Sequence, residues 1–113
     1  MLQLFIIKPN NTIELREHSD EPISIEELKK IVGENNITAS HAMWHGSALI
    51  SVKDGKQLNL PKNSMATDCL RSDVFATLYG TILWAEHKKG EFFGFRPTKA
   101  KILKDILEEA AKL

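Results

Sequence analysis

Residues 74–95 read VFATLYGTILWAEHKKGEFFGF. This stretch is rich in β-branched and aromatic side chains, the residue types that suit a pleated, half-buried surface. It predicts a long strand over 74–87, with Gly80 at a bend or bulge. Lys88-Lys89-Gly90 then turns the chain, and Glu91–Phe95 pairs back.

Upstream, Leu2–Ile7 (LQLFII) is short, apolar and β-prone, and Pro9-Asn10-Asn11 breaks it. Thr12–His18 alternates, with Ile13 and Leu15 on one face, so the two segments predict a hairpin. The opening apolar run has no basic residues before it and is too short to span a bilayer; it reads as a strand, not a signal peptide. Ser24 and Glu27 stand three apart as a capping box, and Ile23 and Leu28 occupy the flanking hydrophobic positions. Ile25, Leu28, Ile31 and Val32 supply an apolar face and Gly33 a left-handed stop, which predicts a helix over 25–32. Residues 37–44 predict a strand, and His45-Gly46-Ser47 a turn or bulge. Asp54-Gly55, between ALISVK and KQLNL, carries a type I′ hairpin signature. Residues 61–73 compose a loop with room for one helical turn. Thr98 is placed to cap a second helix over 99–112, with Ile102, Ile106, Leu107 and Ala110 as its apolar stripe and Leu103 at the edge.

The expected fold is therefore α+β. A mostly antiparallel sheet of about six to seven strands carries two helices, in the order ββα-βββββ-α, as a single domain over 1–113. No βαβ unit leads into a glycine-rich turn, which argues against a dinucleotide-binding fold or a P-loop.

The 113 residues hold 15 basic and 15 acidic side chains and one cysteine, Cys69. An internal disulfide is impossible, in keeping with a reducing, cytoplasmic setting. Zero net charge and the lack of a helix-turn-helix pair argue against a DNA-binding regulator. The charge is nevertheless uneven. Residues 1–36 carry four basic and seven acidic groups, whereas residues 86–104 carry six basic and two acidic ones. The second region is where an anionic partner is expected.

Four groups of residues invite a chemical reading. Ser40–Gly46 (SHAMWHG) sets His41 and His45 four apart. On a helix that spacing suits a shared zinc ion, but along a strand it covers about 13 Å, too far for two ligands of one metal. No metal is expected; Trp44 and His45 instead offer a stacking and hydrogen-bonding wall. Arg96, Thr98, Lys99 and Lys101 open the second helix, while its acids, Asp105, Glu108 and Glu109, come late. Both ends oppose the helix dipole, and an anion docked at the N-terminus would relieve the conflict; a solvated lysine-rich surface is the plainer account. Asn63, with Ser64, Thr67 and Asp68, could touch a small ligand, or could simply satisfy the backbone of its own turn. Cys69 lacks a partner to activate it and reads as an inert buried thiol.

Gly55, Leu58, Leu60, Pro61, Asn63 and Ala66 form a G-x-x-L-x-L-P-x-N-x-x-A stretch, followed by Asp73, Val74 and Gly80. Over roughly residues 45–95 this resembles a family of short domains carried by phages, plasmids and other mobile elements. The family often has a basic residue after the asparagine, where this chain has Ser64. The resemblance implies a mobile-element origin and brings no established activity, so it assigns no functional residue.

The combined expectation is a small non-enzymatic binding protein, with no cofactor and no membrane partner. It would act as a counter-defence factor, blocking a host protein or, as a homo-oligomer, sequestering an anionic nucleotide through Trp44, His45, Asn63, Arg96, Thr98, Lys99 and Lys101. The alternatives are a phosphoesterase-type hydrolase using His41 or His45 as acid/base and a nucleic-acid-binding regulator.

Overall fold

The computed structural model describes residues 1–112. Its elements are β1 (Leu2–Ile7), β2 (Ile13–His18), α1 (Ile25–Val32), β3 (Ile37–His41), β4 (Ser47–Val52), α2 (Ser64–Asp68), β5 (Ile82–Lys88), β6 (Glu91–Phe93) and α3 (Pro97–Ala111). The six strands form one antiparallel sheet in the order β2-β1-β5-β4-β3, with β6 also paired to β5. The α+β class and the antiparallel sheet are as the sequence predicts. The short α2 falls within the 61–73 loop that had room for one helical turn, and the strand expected after Asp54-Gly55, at residues 56–60, is replaced by turns.

Alternation along the strands sorts the core into two layers. Phe5, Ile7, Leu49, Ile82 and Trp84 point to one face, where they meet Met65 and Ala66 of α2 and Ala100, Leu103 and Leu107 of α3. Leu4, Ile6, Ile50, Leu83 and Ala85 point to the other, against Ile23 and against Leu28 and Val32 of α1. The register agrees: Phe5, Trp84 and Leu49 lie side by side across β1, β5 and β4, as do Ile6, Leu83 and Ile50. The sheet is thus sandwiched between helices, which explains why β4 is buried along its whole length. Phe5, Trp84 and Phe95 meet edge-to-face in all three pairings, with centroids 5.5–6.1 Å apart, a geometry their ring quadrupoles favour.

α1 follows its sequence signals. Ser24 Oγ accepts from the Glu27 N–H at 3.2 Å, and Gly33 ends the helix with φ +87°. Ile25, however, is exposed, so the buried stripe narrows to Leu28 and Val32.

Three expectations need correction. The strand predicted from residue 74 begins only at Ile82. Before it, Gly80 turns at φ +77°, its N–H bonded to Pro61 O and its carbonyl to Asn63 Nδ2. Those bonds leave the sheet, and Phe75 is 94% exposed. Asp54-Gly55 makes no hairpin. A type I′ turn needs positive φ at both central residues, and neither has it; the chain coils through Leu58 N–H to Asp54 O and Leu60 N–H to Gly55 O. Gly55 is instead required by packing, since a Cβ there would lie 2.6 Å from that of Tyr79. The residues with paired positive φ are Lys89 and Gly90, linking β5 to β6. Finally, the residue at the N-cap position of α3 is Arg96 rather than Thr98, its side chain makes no capping bond, and Pro97 opens the helix. Its buried stripe is Ala100, Leu103 and Leu107, while Ile102, Ile106 and Ala110 face outward.

Asn63 joins these layers. Its side chain is fully buried; Nδ2 donates to Ile7 O and to Gly80 O, each at 2.9 Å, and Oδ1 accepts from Ala66 N–H at 3.0 Å. Replacing it strands two carbonyls and one N–H, each costing about 1–3 kcal/mol when buried and unmet. Asn63→Ala is expected to lower stability in urea unfolding by about 3 kcal/mol or more. Asn63→Asp should be nearly as harmful, because a carboxylate can cap α2 but cannot donate to either carbonyl.

Candidate functional site

The antiparallel register carries a chain of polar groups from the core to one end of the sheet. On the α3 face, Trp84 is followed along β5 by Glu86, which lies opposite Ser47 on β4 and Phe93 on β6. The buried Trp84 indole donates Nε1–H to Ser47 Oγ at 2.8 Å, and that hydroxyl donates to Trp44 O at 2.6 Å. The Met43–Gly46 turn is thereby held over the sheet end, with the Trp44 ring half exposed.

The first turn of α3 arrives beside it. Lys99 Nζ sits 4.7 Å from the Trp44 ring centroid and 5.3 Å from that of Phe95, within cation–π range. It also donates to Glu86 Oε1 at 2.9 Å, while Lys88 meets Glu86 Oε2 at 3.1 Å. Burial alone would raise the Glu86 pKa; the hydrogen bonds from Lys99 and Lys88 outweigh it and hold the carboxyl below its ordinary value. Arg96 lies at the adjoining helix end, exposed, without a side-chain capping bond. An open cleft of about 340 Å³ runs between Asp20, Glu86, Lys88, Phe93 and Arg96.

The fold therefore unites Trp44, Arg96 and Lys99, which the sequence nominated separately. His45 is exposed in the same turn, and Thr98 and Lys101 are exposed on α3. Asn63 stands apart as the buried pin described above, with no surface to offer a ligand. Thr67 is likewise structural: its hydroxyl donates to Asn63 O and accepts from Leu78 N–H. Glu86 is the participant that the sequence reading missed. Its signal was present, as the one acid in a strand that is otherwise apolar up to His87.

Residues nominated for chemistry do not converge. His41 ends β3 and His45 lies in the turn; both are exposed. His41 is close enough to Asp73 to contribute to lowering its pKa, an effect dominated by the hydrogen bond from Arg71. Cys69 is fully buried, and desolvation pushes its thiol up to about 12, far from the thiolate a nucleophile requires. Among the described residues no group of three or more His, Cys, Asp or Glu side chains could hold a metal ion, and no helix is long and apolar enough to cross a membrane.

Comparison with known protein families, with curated proteins and with solved structures finds no match to this chain.

Because the folded Glu86 binds its proton less readily than the unfolded one, its stabilising contribution is present above the ordinary glutamate value of about 4.3. It is lost as pH falls through the lowered folded value. Urea-unfolding midpoints should therefore fall on acidification below about pH 5, and Lys99→Met should move the Glu86 carboxyl titration, followed by carbon-detected NMR, toward higher pH.

Proposed function

We propose that this is a small non-enzymatic binding protein that engages an anionic ligand at the Trp44–Arg96–Lys99 corner, a nucleotide being the class that best suits it. The single observation that carries the reading is Lys99 held over the Trp44 ring in the first turn of α3, next to the exposed Arg96, which makes no side-chain capping bond. An exposed indole offers a base a stacking face. Arg96 and the free N–H groups of the helix end offer phosphate oxygens charge-assisted hydrogen bonds. Lys88 and Lys99 share one carboxylate, so the corner keeps a net positive charge. Binding without turnover is favoured because His41, His45 and Cys69 assemble no acid, base or nucleophile around it.

In the mobile-element setting that the sequence resemblance implies, such a protein would serve counter-defence by sequestering a host nucleotide signal. Blocking a host protein is the second reading. It is favoured by the exposed apolar side chains of Met43, Trp44 and Phe75.

Titration calorimetry with linear and cyclic nucleotides tests the first reading. Binding should weaken roughly tenfold or more in Arg96→Glu, since a charge-assisted hydrogen bond contributes about 1.5–3 kcal/mol. A similar loss is expected in Trp44→Ala from the lost stacking. Nucleotide recovered intact after denaturing the complex supports sequestration. A hydrolysed product, lost in His45→Ala, would replace it with the hydrolase alternative, and heat-silent titrations throughout would remove the anionic-ligand reading.

A further inference from the structure

The outer face of α3 carries a pattern that the monomer leaves unused. Ile102 and Ile106 are 54% and 56% exposed, although the helix buries Ala100, Leu103 and Leu107 on the adjacent flank. Lys99, Ile102, Ile106 and Glu109 follow one another at spacings of three, four and three residues. That is the spacing of a coiled-coil seam, which keeps one narrow stripe facing a partner helix. The seam reads basic, apolar, apolar, acidic, and this order is self-complementary when reversed.

We infer that α3 pairs with α3 of a second copy of this chain, antiparallel about a two-fold axis passing between Ile102 and Ile106. In that register Ile102 of each copy packs on Ile106 of the other, and Lys99 of each comes level with Glu109 of the other. An isologous contact of this kind is the commonest symmetry among soluble oligomers. The pairing also accounts for the charge order along the helix. Arg96, Lys99 and Lys101 crowd the N-terminal end and Asp105, Glu108 and Glu109 the C-terminal end, against the helix dipole in both cases. Antiparallel apposition sets the basic end of each helix beside the acidic end of the other, and the opposed dipoles attract. Lys99 retains N–H donors for this after its bond to Glu86. Trp44, next to Lys99, extends the apolar patch toward the C-terminal end of the second helix. The occupant is a second copy because the seam matches its own reverse in both apolar content and charge. The contact is confined to one helix pair and the adjoining turn, so the dimer belongs to the small, weak class of interfaces. It shares Lys99 and Trp44 with the nucleotide reading but is tested through Ile102, Ile106 and Glu109, which that reading does not use.

Sedimentation velocity over a concentration series tests it. The wild type should pass from monomer to dimer as concentration rises. Ile102→Asp and Ile106→Asp should each shift the midpoint to at least tenfold higher concentration, and Glu109→Lys should weaken association several-fold. Circular dichroism should show all three folded, because the substituted side chains are exposed. Orientation is read by oxidising Ile102→Cys and Ile106→Cys chains, singly and mixed; Cys69 is buried and does not compete. The antiparallel register predicts that the mixture yields the disulfide-linked heterodimer far faster than either variant alone yields a homodimer. A wild type that stays monomeric throughout, a dimer indifferent to the aspartate substitutions, or same-site disulfides that form faster than the mixed one would each overturn the inference.

Discussion

The buried amide of Asn63 is the contact on which the two sides of the fold depend. It holds the end of β1 through Ile7 O, the bend before β5 through Gly80 O, and the start of α2 through Ala66 N–H. These groups lie at a strand end, in a bend and in the first turn of a helix. Desolvating them without replacement bonds would be costly. One side chain with two donors and an acceptor meets all three. No shorter or purely accepting residue has the same inventory. The bend at Gly80 that it stabilises is also what delays β5 until Ile82, and so sets which residues of β5 align with β1 and β4.

That alignment reaches the candidate site. With Ile82 opposite Ile7 and Trp84 opposite Phe5 and Leu49, Glu86 falls opposite Ser47 and Phe93 at the sheet end. The aromatic trio of Phe5, Trp84 and Phe95 locks the approach of α3, since Phe95 precedes the helix by only two residues. Lys99 is carried to Glu86 and Trp44 by that approach. Ser47 completes the link by accepting from the Trp84 indole and holding the turn that bears Trp44. Among the described residues no buried side-chain nitrogen or oxygen lacks a partner. The corner's remaining polar capacity is therefore at its surface, in Arg96.

Much of this was legible in local pattern. The capping box of α1 and the β1–β2 hairpin arise from interactions between near neighbours, and each appears where the sequence placed it, whereas only the second half of the apolar run over 74–87 is strand. The misreadings share a cause. Asp54-Gly55 has the composition of a hairpin turn, but the space beside Gly55 is filled by Tyr79, a residue far along the chain. Val74–Tyr79 has the composition of a strand, but its neighbours take their backbone bonds from Pro61 and Asn63. For α3, helical periodicity permits several adjacent apolar stripes. The one that is buried follows from the angle at which Phe95 delivers the helix to the sheet, and that left Ile102 and Ile106 outside.

By itself, then, the sequence determined the elements whose stabilising contacts are local: α1 with its caps, the apolar strands, the turn residues and the reversed charge order of α3. It also determined the chemistry available, since zero net charge and a single cysteine hold whatever the fold. The tertiary structure alone decided that Trp44, Glu86, Arg96 and Lys99 share one corner, that Asn63 is a pin, and that Ile102 and Ile106 are exposed. These outcomes depend on strand register and helix approach. Both are set by contacts between residues distant in the chain, and no local pattern encodes them.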